Sequence, residues 1–296
     1  MRVGIIGTGM LGSAVAMHLL DSGFELTAYN RTKAKTVELA KKGAKVVESP
    51  KDVARSSDIV FTIVKNADAV KEISFGKNGV VEGRHDGLVV ADMSTINAVE
   101  SKIIAKKFAE HGITMLDTPV MGGPNVAING KLVLIASGDK ATFEKYRKVF
   151  ETIANQTFFL GEGGTAHVIK LAMNIQIALL ALAISEGIIL ARGANVDPEI
   201  FLKILNSTYF KTGMSENKAY KMIKDSFEPT FTLSNLKKDL DTINETASTF
   251  GVTLPITAKA NEIFQQAVDN GFGDLDYTGI LSYIKNLSRQ NSIAKI

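Results

Sequence analysis

The sequence predicts an α/β chain, with an N-terminal doubly wound parallel sheet over residues 1–161 followed by an all-α C-terminal domain over residues 162–296. Three observations predict it. The first half alternates short β-branched runs with amphipathic stretches, the pattern of strands covered by helices on both faces of a sheet. A glycine-rich turn follows the first of those runs directly. After Gly161–Gly164 the β-branched runs become few, and the rest of the chain is helical in period.

The elements follow in order. Val3 to Gly7 reads as a buried strand, and "SAVAMHLL" after the glycine turn as a helix. Further strands are predicted at Glu25 to Tyr29, Lys45 to Val47, Ile59 to Val64, Leu88 to Asp92, Thr114 to Leu116, Val133 to Ala136 and Thr157 to Phe159, with amphipathic stretches between most of them. From Thr165 to about Arg192 one long helix is expected, closed by Gly193. "NVDPE" then starts another, with Asp197 as N-cap and Pro198 in the first turn. Within the long helix the apolar run Ile175 to Ala191 falls short of the roughly 20 residues of a membrane span. It is also broken by Gln176, Ser185 and Glu186, and it reads as a buried helix. The terminal "SRQNSIAKI" reads as a mobile tail.

Composition excludes several classes of function. With 296 residues and 45% hydrophobic content, the chain can bury the cores of two domains. The absence of cysteine removes disulfides, thiol nucleophiles and cysteine metal sites, and suits a reducing, cytoplasmic setting. The net charge of +3 arises from 34 basic and 31 acidic residues spread along the chain, so no basic block speaks for nucleic acid. Strand-like sequence from Arg2 onward leaves no room for a secretory leader, and no membrane partner is expected. The four histidines, His18, His85, His111 and His167, give no metal-ligand spacing, so no metal is expected. His167, three residues before Lys170, could face the same cleft as that lysine, but a helix-surface position is the commoner outcome.

Gly7, Gly9 and Gly12, in the run Gly7-Thr8-Gly9-Met10-Leu11-Gly12, fit G-x-G-x-x-G between a strand and a helix. The three glycines serve a tight turn, the close approach of backbone to a pyrophosphate, and close helix-to-strand packing, with the phosphates at the positive helix end. That is a Rossmann-type dinucleotide site. At the end of the second strand, where an NAD site usually places a carboxylate for the ribose hydroxyls, the chain reads Asn30-Arg31-Thr32. Arg31 can pair with a 2′-phosphate, Thr32 can add a hydroxyl, and Lys33 or Lys35 can add attraction, which favours NADP over NAD. A solvated basic turn is the alternative reading.

"GEGGTAHVIKLAMNIQ" places Lys170 and Asn174 four residues apart, on one face of the long helix. A lysine in a partly dry pocket can exchange a proton with an alcohol oxygen. On spacing alone, an exposed lysine and asparagine are the simpler reading.

Four blocks in order change that reading: "GIIGTGMLGSAVAMHLL", "DMST" with "DTPVMGGPNVAINGKL", "GTAHVIKLAMN" and "NLKKDLDT". With them the chain resembles the β-hydroxyacid dehydrogenase family over nearly its whole length. That group includes 3-hydroxyisobutyrate dehydrogenase, tartronate semialdehyde reductase, glyoxylate/succinic semialdehyde reductase and, more distantly, 6-phosphogluconate dehydrogenase. The resemblance implies Lys170 as general acid/base and Asn174 as its substrate-orienting partner. It implies that Ser94, Thr95, Gly122 and Gly123 cradle the substrate carboxylate and the nicotinamide end, and that Lys238 and Asp239 form a pair whose lysine reaches the cofactor. Met10 is implied beside the nicotinamide, Val64 and Lys65 near the cofactor, and Phe231 as a pocket-lining aromatic, although a core role suits Phe231 equally. Where the family's substrate loop commonly reads Ser-Gly-Gly, this chain has Met121, which cannot donate a hydrogen bond to a carboxylate.

The implied function is NADP-dependent interconversion of a small hydroxy acid with its semialdehyde or keto acid, in the glyoxylate/succinic semialdehyde reductase or 3-hydroxyisobutyrate dehydrogenase branch, by a homodimer or homotetramer. The rivals are an imine reductase, which usually carries Asp or Tyr at the lysine position, and a non-catalytic NADP-binding module, in which related folds have lost the lysine.

Overall fold

The computed structural model describes residues 1–293, with side chains through residue 288. The strands are β1 (Arg2–Ile6), β2 (Glu25–Tyr29), β3 (Lys45–Val46), β4 (Ile59–Thr62), β5 (Val89–Asp92), β6 (Thr114–Asp117), β7 (Val120–Met121), β8 (Leu132–Ala136) and β9 (Ala154–Phe159). Helices between them are α1 (Met10–Asp21), α2 (Val37–Lys41), α3 (Pro50–Arg55), α4 (Ala67–Phe75), α5 (Ala98–Glu110), α6 (Pro124–Ala127), α7 (Lys140–Lys145) and α8 (Arg147–Ile153). Then follow α9 (Thr165–Gly193), α10 (Pro198–Asn206), α11 (Gly213–Asn217), α12 (Ala219–Ile223), α13 (Leu233–Thr249), α14 (Pro255–Ala267) and α15 (Ile280–Ile293).

The chain forms two compact units, Met1–Leu171 and Ala172–Ile296. The division falls inside α9, so the first two turns of that helix, with Lys170, pack with the sheets, and Asn174 belongs to the second unit.

In the first unit, β1 to β6 form a parallel sheet in the order β3-β2-β1-β4-β5-β6. The strands are apolar on both faces because helices cover both. Val3, Ile5, Phe61 and Ala91 point into one core with α1, while Ile6, Val60 and Val90 point into another with Val53, Val70 and Phe108. The order reverses between β1 and β4, and the crevice beyond the carboxyl ends of those strands is where such sheets bind ligands.

The last three strands depart from a single-sheet reading. They form a second sheet, β7-β8-β9, in which β7 runs antiparallel to β8 and β8 parallel to β9. β7 was not expected from the sequence. It has only two residues and follows Pro119, which carries no backbone N–H for a ladder.

The second unit is helical among the described residues. Ile184, Ile188, Leu202, Ala219, Met222 and Leu281 form a core there. Asp197 caps α10 by accepting the Glu199 N–H at 2.9 Å, with Pro198 in the first turn. Two expectations are corrected. The long helix is only partly buried: by length and composition it could span a membrane, a test that globular core helices also pass, and Met173 and Leu190 lie exposed on it. The expected tail is helical through Ile293 as part of α15, and its residues 294–296 lie outside the described residues.

Candidate active site

The carboxyl end of β1 builds the dinucleotide loop. Gly7 has φ +101°, and a Cβ there would lie 2.1 Å from the Ile63 carbonyl oxygen, so only glycine makes this turn. A Cβ on Gly12 would meet the Gly7 carbonyl oxygen at 2.0 Å, which lets α1 lie against the strand end. A Cβ on Gly9 would meet nothing within 4 Å, so that side of the loop is open to a ligand. Gly9 caps α1 without a side-chain bond, leaving the N–H groups of Met10, Leu11 and Gly12 at a positive helix end. These features fit a dinucleotide pyrophosphate.

Asn30 and Thr8 brace this loop from within. Asn30 Oδ1 accepts the Thr8 N–H at 2.9 Å, and the buried Thr8 hydroxyl donates to the Lys35 carbonyl at 3.2 Å. Arg31 and Thr32 are exposed beside it, and among the described residues Arg31 has no ion pair, whereas Lys33 is paired with Glu48 at 2.5 Å. Met10 is exposed and Leu11 half-buried at the loop.

Ser94 bonds within the protein. It is buried; its hydroxyl donates to Asp92 Oδ1 at 2.7 Å and accepts the Val64 N–H at 3.0 Å. It ties the end of β4 to the end of β5, and Thr95 beside it is half-buried. Lys65 is exposed, while Asn66 is the N-cap of α4.

Lys170 donates to the Val120 carbonyl oxygen at 2.8 Å and touches Met121 Sδ at 3.4 Å. The glycines next in sequence are exposed: Gly122 has φ +120°, and a Cβ on Gly123 would meet nothing within 4 Å. The lysine is thus held by backbone at the edge of β7, beside an open turn whose N–H groups suit an anion.

Below this, sequence reasoning missed a buried cluster. His167 is fully buried, which corrects its reading as a surface residue. Its Nε2 lies 3.2 Å from Asp117 Oδ1 and 3.9 Å from Asp92 Oδ2, without the alignment of a hydrogen bond. Asp92 Oδ1 accepts the Thr62 hydroxyl at 2.6 Å, and burial pushes the Asp92 carboxyl up. Burial pushes Asp117 up as well, but contact with His167, the Ser101 hydroxyl and the Gly164 N–H more than offsets it, leaving Asp117 at about 2. The sequence signal was present in aspartates ending the otherwise apolar runs "LVVAD" and "TMLD".

In the second unit, Asn174 is buried and its Nδ2 donates to Asp239 Oδ2 at 2.7 Å, while Lys238 pairs with Asp239 Oδ1 at 2.5 Å. The sequence placed these residues some 65 positions apart, and the fold joins them. Phe231 is half-buried, with its ring edge-on to Tyr277 at 6.0 Å.

A parallel sheet with a glycine turn at its switch point makes a dinucleotide-binding unit, and comparison with known proteins gives its class. The family model for the NAD binding domain of 6-phosphogluconate dehydrogenase matches residues 2–161, and the model for the NAD-binding region of NADP-dependent 3-hydroxyisobutyrate dehydrogenase matches residues 164–284. The chain is 33% identical to glyoxylate/succinic semialdehyde reductase 1 of Arabidopsis thaliana, over 96% of this chain and 99% of that one. It is 32% identical to 2-hydroxy-3-oxopropionate reductase of Escherichia coli (strain K12), over 96% and 97%. Among solved structures, 3-hydroxyisobutyrate dehydrogenase from Salmonella typhimurium superposes with a TM-score of 0.88 at 24% identity, covering 95% of this chain and 99% of that one. An imine reductase from Myxococcus stipitatus reaches 0.65 at 22% identity, covering 96% and 99%. The chain belongs to the β-hydroxyacid dehydrogenase family.

Proposed function

We propose that this chain is an NADPH-dependent reductase of small carboxylate-bearing aldehydes, with glyoxylate and short semialdehydes such as succinic semialdehyde as substrates. The observation that carries the reading is the Lys170 ammonium at the Val120 carbonyl, beside the exposed Gly122–Gly123 turn. The names of the two curated relatives support the substrate class.

When bound, the nicotinamide supplies hydride. The chain's own residues do the rest. The Gly122 and Gly123 N–H groups, with Thr95, bind the substrate carboxylate, so a remote anion sets the angle of the carbonyl. Lys170, as the ammonium, passes a proton to the carbonyl oxygen as negative charge develops there. The family resemblance assigns Asn174, one turn further along α9, to orienting that oxygen, and within the second unit Asp239 and Lys238 restrict the amide's rotation. Arg31, with no carboxylate neighbouring it in "YNRTK", supports NADP over NAD.

Exposed apolar side chains in the second unit support self-association as a homodimer or homotetramer: Leu190, Ile200, Ile204 and Tyr209 are all exposed, Tyr209 by 90%. The absence of cysteine supports a cytoplasmic location.

Lys170→Ala, assayed by NADPH oxidation with glyoxylate, succinic semialdehyde and cyclic imines, tests the reading. Turnover of the aldehydes should fall by roughly 10²–10⁴-fold with NADPH binding retained. Near-normal rates in the variant would remove Lys170 from its role. Activity on imines alone would favour the imine-reductase alternative, and NADPH binding without any turnover in the wild type would favour a non-catalytic module.

A further inference from the structure

Asp92, Asp117 and His167 lie buried together in the first unit, and the chemistry proposed above does not use them. Their bonds follow a pattern. Asp117 Oδ2 accepts the Gly164 N–H at 2.5 Å and the Ser137 hydroxyl at 2.8 Å, and Ser137 Oγ in turn accepts the Ala166 N–H at 3.2 Å. One carboxylate at the end of β6 therefore serves the donors at the start of α9, an anion at a positive helix end. One residue further on, His167 sets Nε2 against the other oxygen of the same carboxylate. Three residues beyond that, Lys170 donates to Val120, which stands three positions after Asp117.

The chain from Asp117 to Val120 and the helix from Gly164 to Lys170 are thus stitched at both ends. Only Thr118 and Pro119 intervene on the strand side, and proline fixes φ there. A shift at the His167–Asp117 end has little slack in which to dissipate before it reaches the lysine. The cluster also carries buried polar atoms with no hydrogen-bond partner, Asp92 Oδ2 and both ring nitrogens of His167. A core under selection for stability alone favours carbon at such a place.

We propose that His167 and Asp117 are positioning residues for Lys170, fixing the first turns of α9 against the end of β6 and so setting where the lysine ammonium sits. This rests on Lys170 as the proton donor. Attraction between Nε2 and Asp117 needs a proton on that nitrogen, which the Nε2–H neutral tautomer and the cation carry and the Nδ1–H tautomer does not.

The test uses the full chain with His167→Leu and His167→Gln. Two quantities are followed: kcat and KM for glyoxylate and succinic semialdehyde, and the NMR resonance of ¹³C-dimethylated Lys170, assigned by its loss in Lys170→Arg. For the leucine variant, kcat should fall roughly 100-fold, the scale of an ångström-level misplacement, with KM and NADPH affinity nearly constant. The lysine resonance should shift. Glutamine, whose amide N–H reaches toward Asp117, should restore a substantial part of both. A leucine variant with wild-type kcat, an unmoved resonance, or equal impairment by Leu and Gln would overturn the proposal. If the leucine variant does not fold, Ser137→Ala removes the hydroxyl that links Asp117 to Ala166 without adding or removing a charge; it should lower kcat and move the resonance in the same directions, and no change in either overturns the proposal. A wild type inactive on both aldehydes refutes the assigned substrates, while the resonance still decides whether His167 positions the lysine.

Discussion

A methyl group on Gly12 would stand 2.0 Å from the carbonyl oxygen of Gly7. Gly12→Ala must therefore push α1 off the strand end, lowering both stability and dinucleotide affinity. Gly9→Ala separates the two effects, because a Cβ at Gly9 meets nothing within 4 Å. Its melting temperature should match the wild type, while NADPH binding, titrated by fluorescence, should weaken by about tenfold or more, or roughly 1.4 kcal/mol. Unchanged affinity in Gly9→Ala would mean that the pyrophosphate does not lie against this loop.

Arg31→Asp replaces an exposed cation with the carboxylate typical of NAD sites. A hydrogen bond to a charged group contributes about 1.5–3 kcal/mol, so the ratio of NADPH to NADH affinity should drop by roughly 10- to 100-fold. Competition binding of the two nucleotides measures it, and an unaltered ratio would locate discrimination elsewhere.

Asp117, held at about 2, links stability to acid. Its folded value lies below the unfolded value of about 3.9, so its contribution of about 2–3 kcal/mol is complete above the unfolded value and is lost as pH falls through about 2. Asp92 is shifted the other way by burial, so its contribution is present at low pH and is lost as pH rises through its folded value. Urea unfolding at a series of pH values should show the stability gap between wild type and Asp117→Asn narrowing from about pH 4 toward pH 2. A constant gap would contradict the depressed value.

In the second unit, Lys218 donates to both oxygens of Asp276 at 2.8 Å, with its ammonium 4.2 Å from the Tyr277 ring centroid. Asp276 also accepts the Thr230 hydroxyl at 3.0 Å and the Thr278 hydroxyl at 2.9 Å. Asp276→Ala strands a largely buried cation and several donors, and should cost about 3–5 kcal/mol by denaturant unfolding. Adding Lys218→Met should recover part of that loss, and a double variant as unstable as the sum of the singles would show the pair to be uncoupled.

Met121→Ser places a hydroxyl next to the exposed Gly122–Gly123 turn, where the thioether offers no donor. If the carboxylate binds there, KM for glyoxylate should fall by about 3- to 10-fold, the scale of one added hydrogen bond, with kcat little changed. Steady-state kinetics would show whether KM is instead indifferent to the change.

Local chemistry made much of the fold legible. The eight anticipated strands are present because each is a run of β-branched or apolar residues between polar turns, and α9 ends at Gly193 as its sequence suggests. β7 was hidden because two residues carry no periodicity. The site was legible where the chain order itself carries it, as in the Gly7–Gly12 turn. It was not legible where distant segments converge. Nothing near His167 announces that Asp117, fifty positions earlier, will face its ring, and Ser94 gives no local sign that its hydroxyl is committed to Asp92 and Val64. Sequence spacing predicts neighbours along one element, while burial and pairing between elements depend on strand order.

The interruption between β6 and β7 has one more implication. Because Thr118 and Pro119 carry the chain out of the six-stranded sheet, the Gly122–Gly123 turn hangs from the three-stranded sheet and the glycine loop from the six-stranded one, the two sheets being bridged where Asp117 and Ser137 exchange backbone hydrogen bonds. A change at the Gly122–Gly123 turn that spares the Asp117–Ser137 bridge leaves the ladder of the six-stranded sheet in place. Such a division lets the turn vary in length and sequence while the strands that carry the glycine loop keep their register.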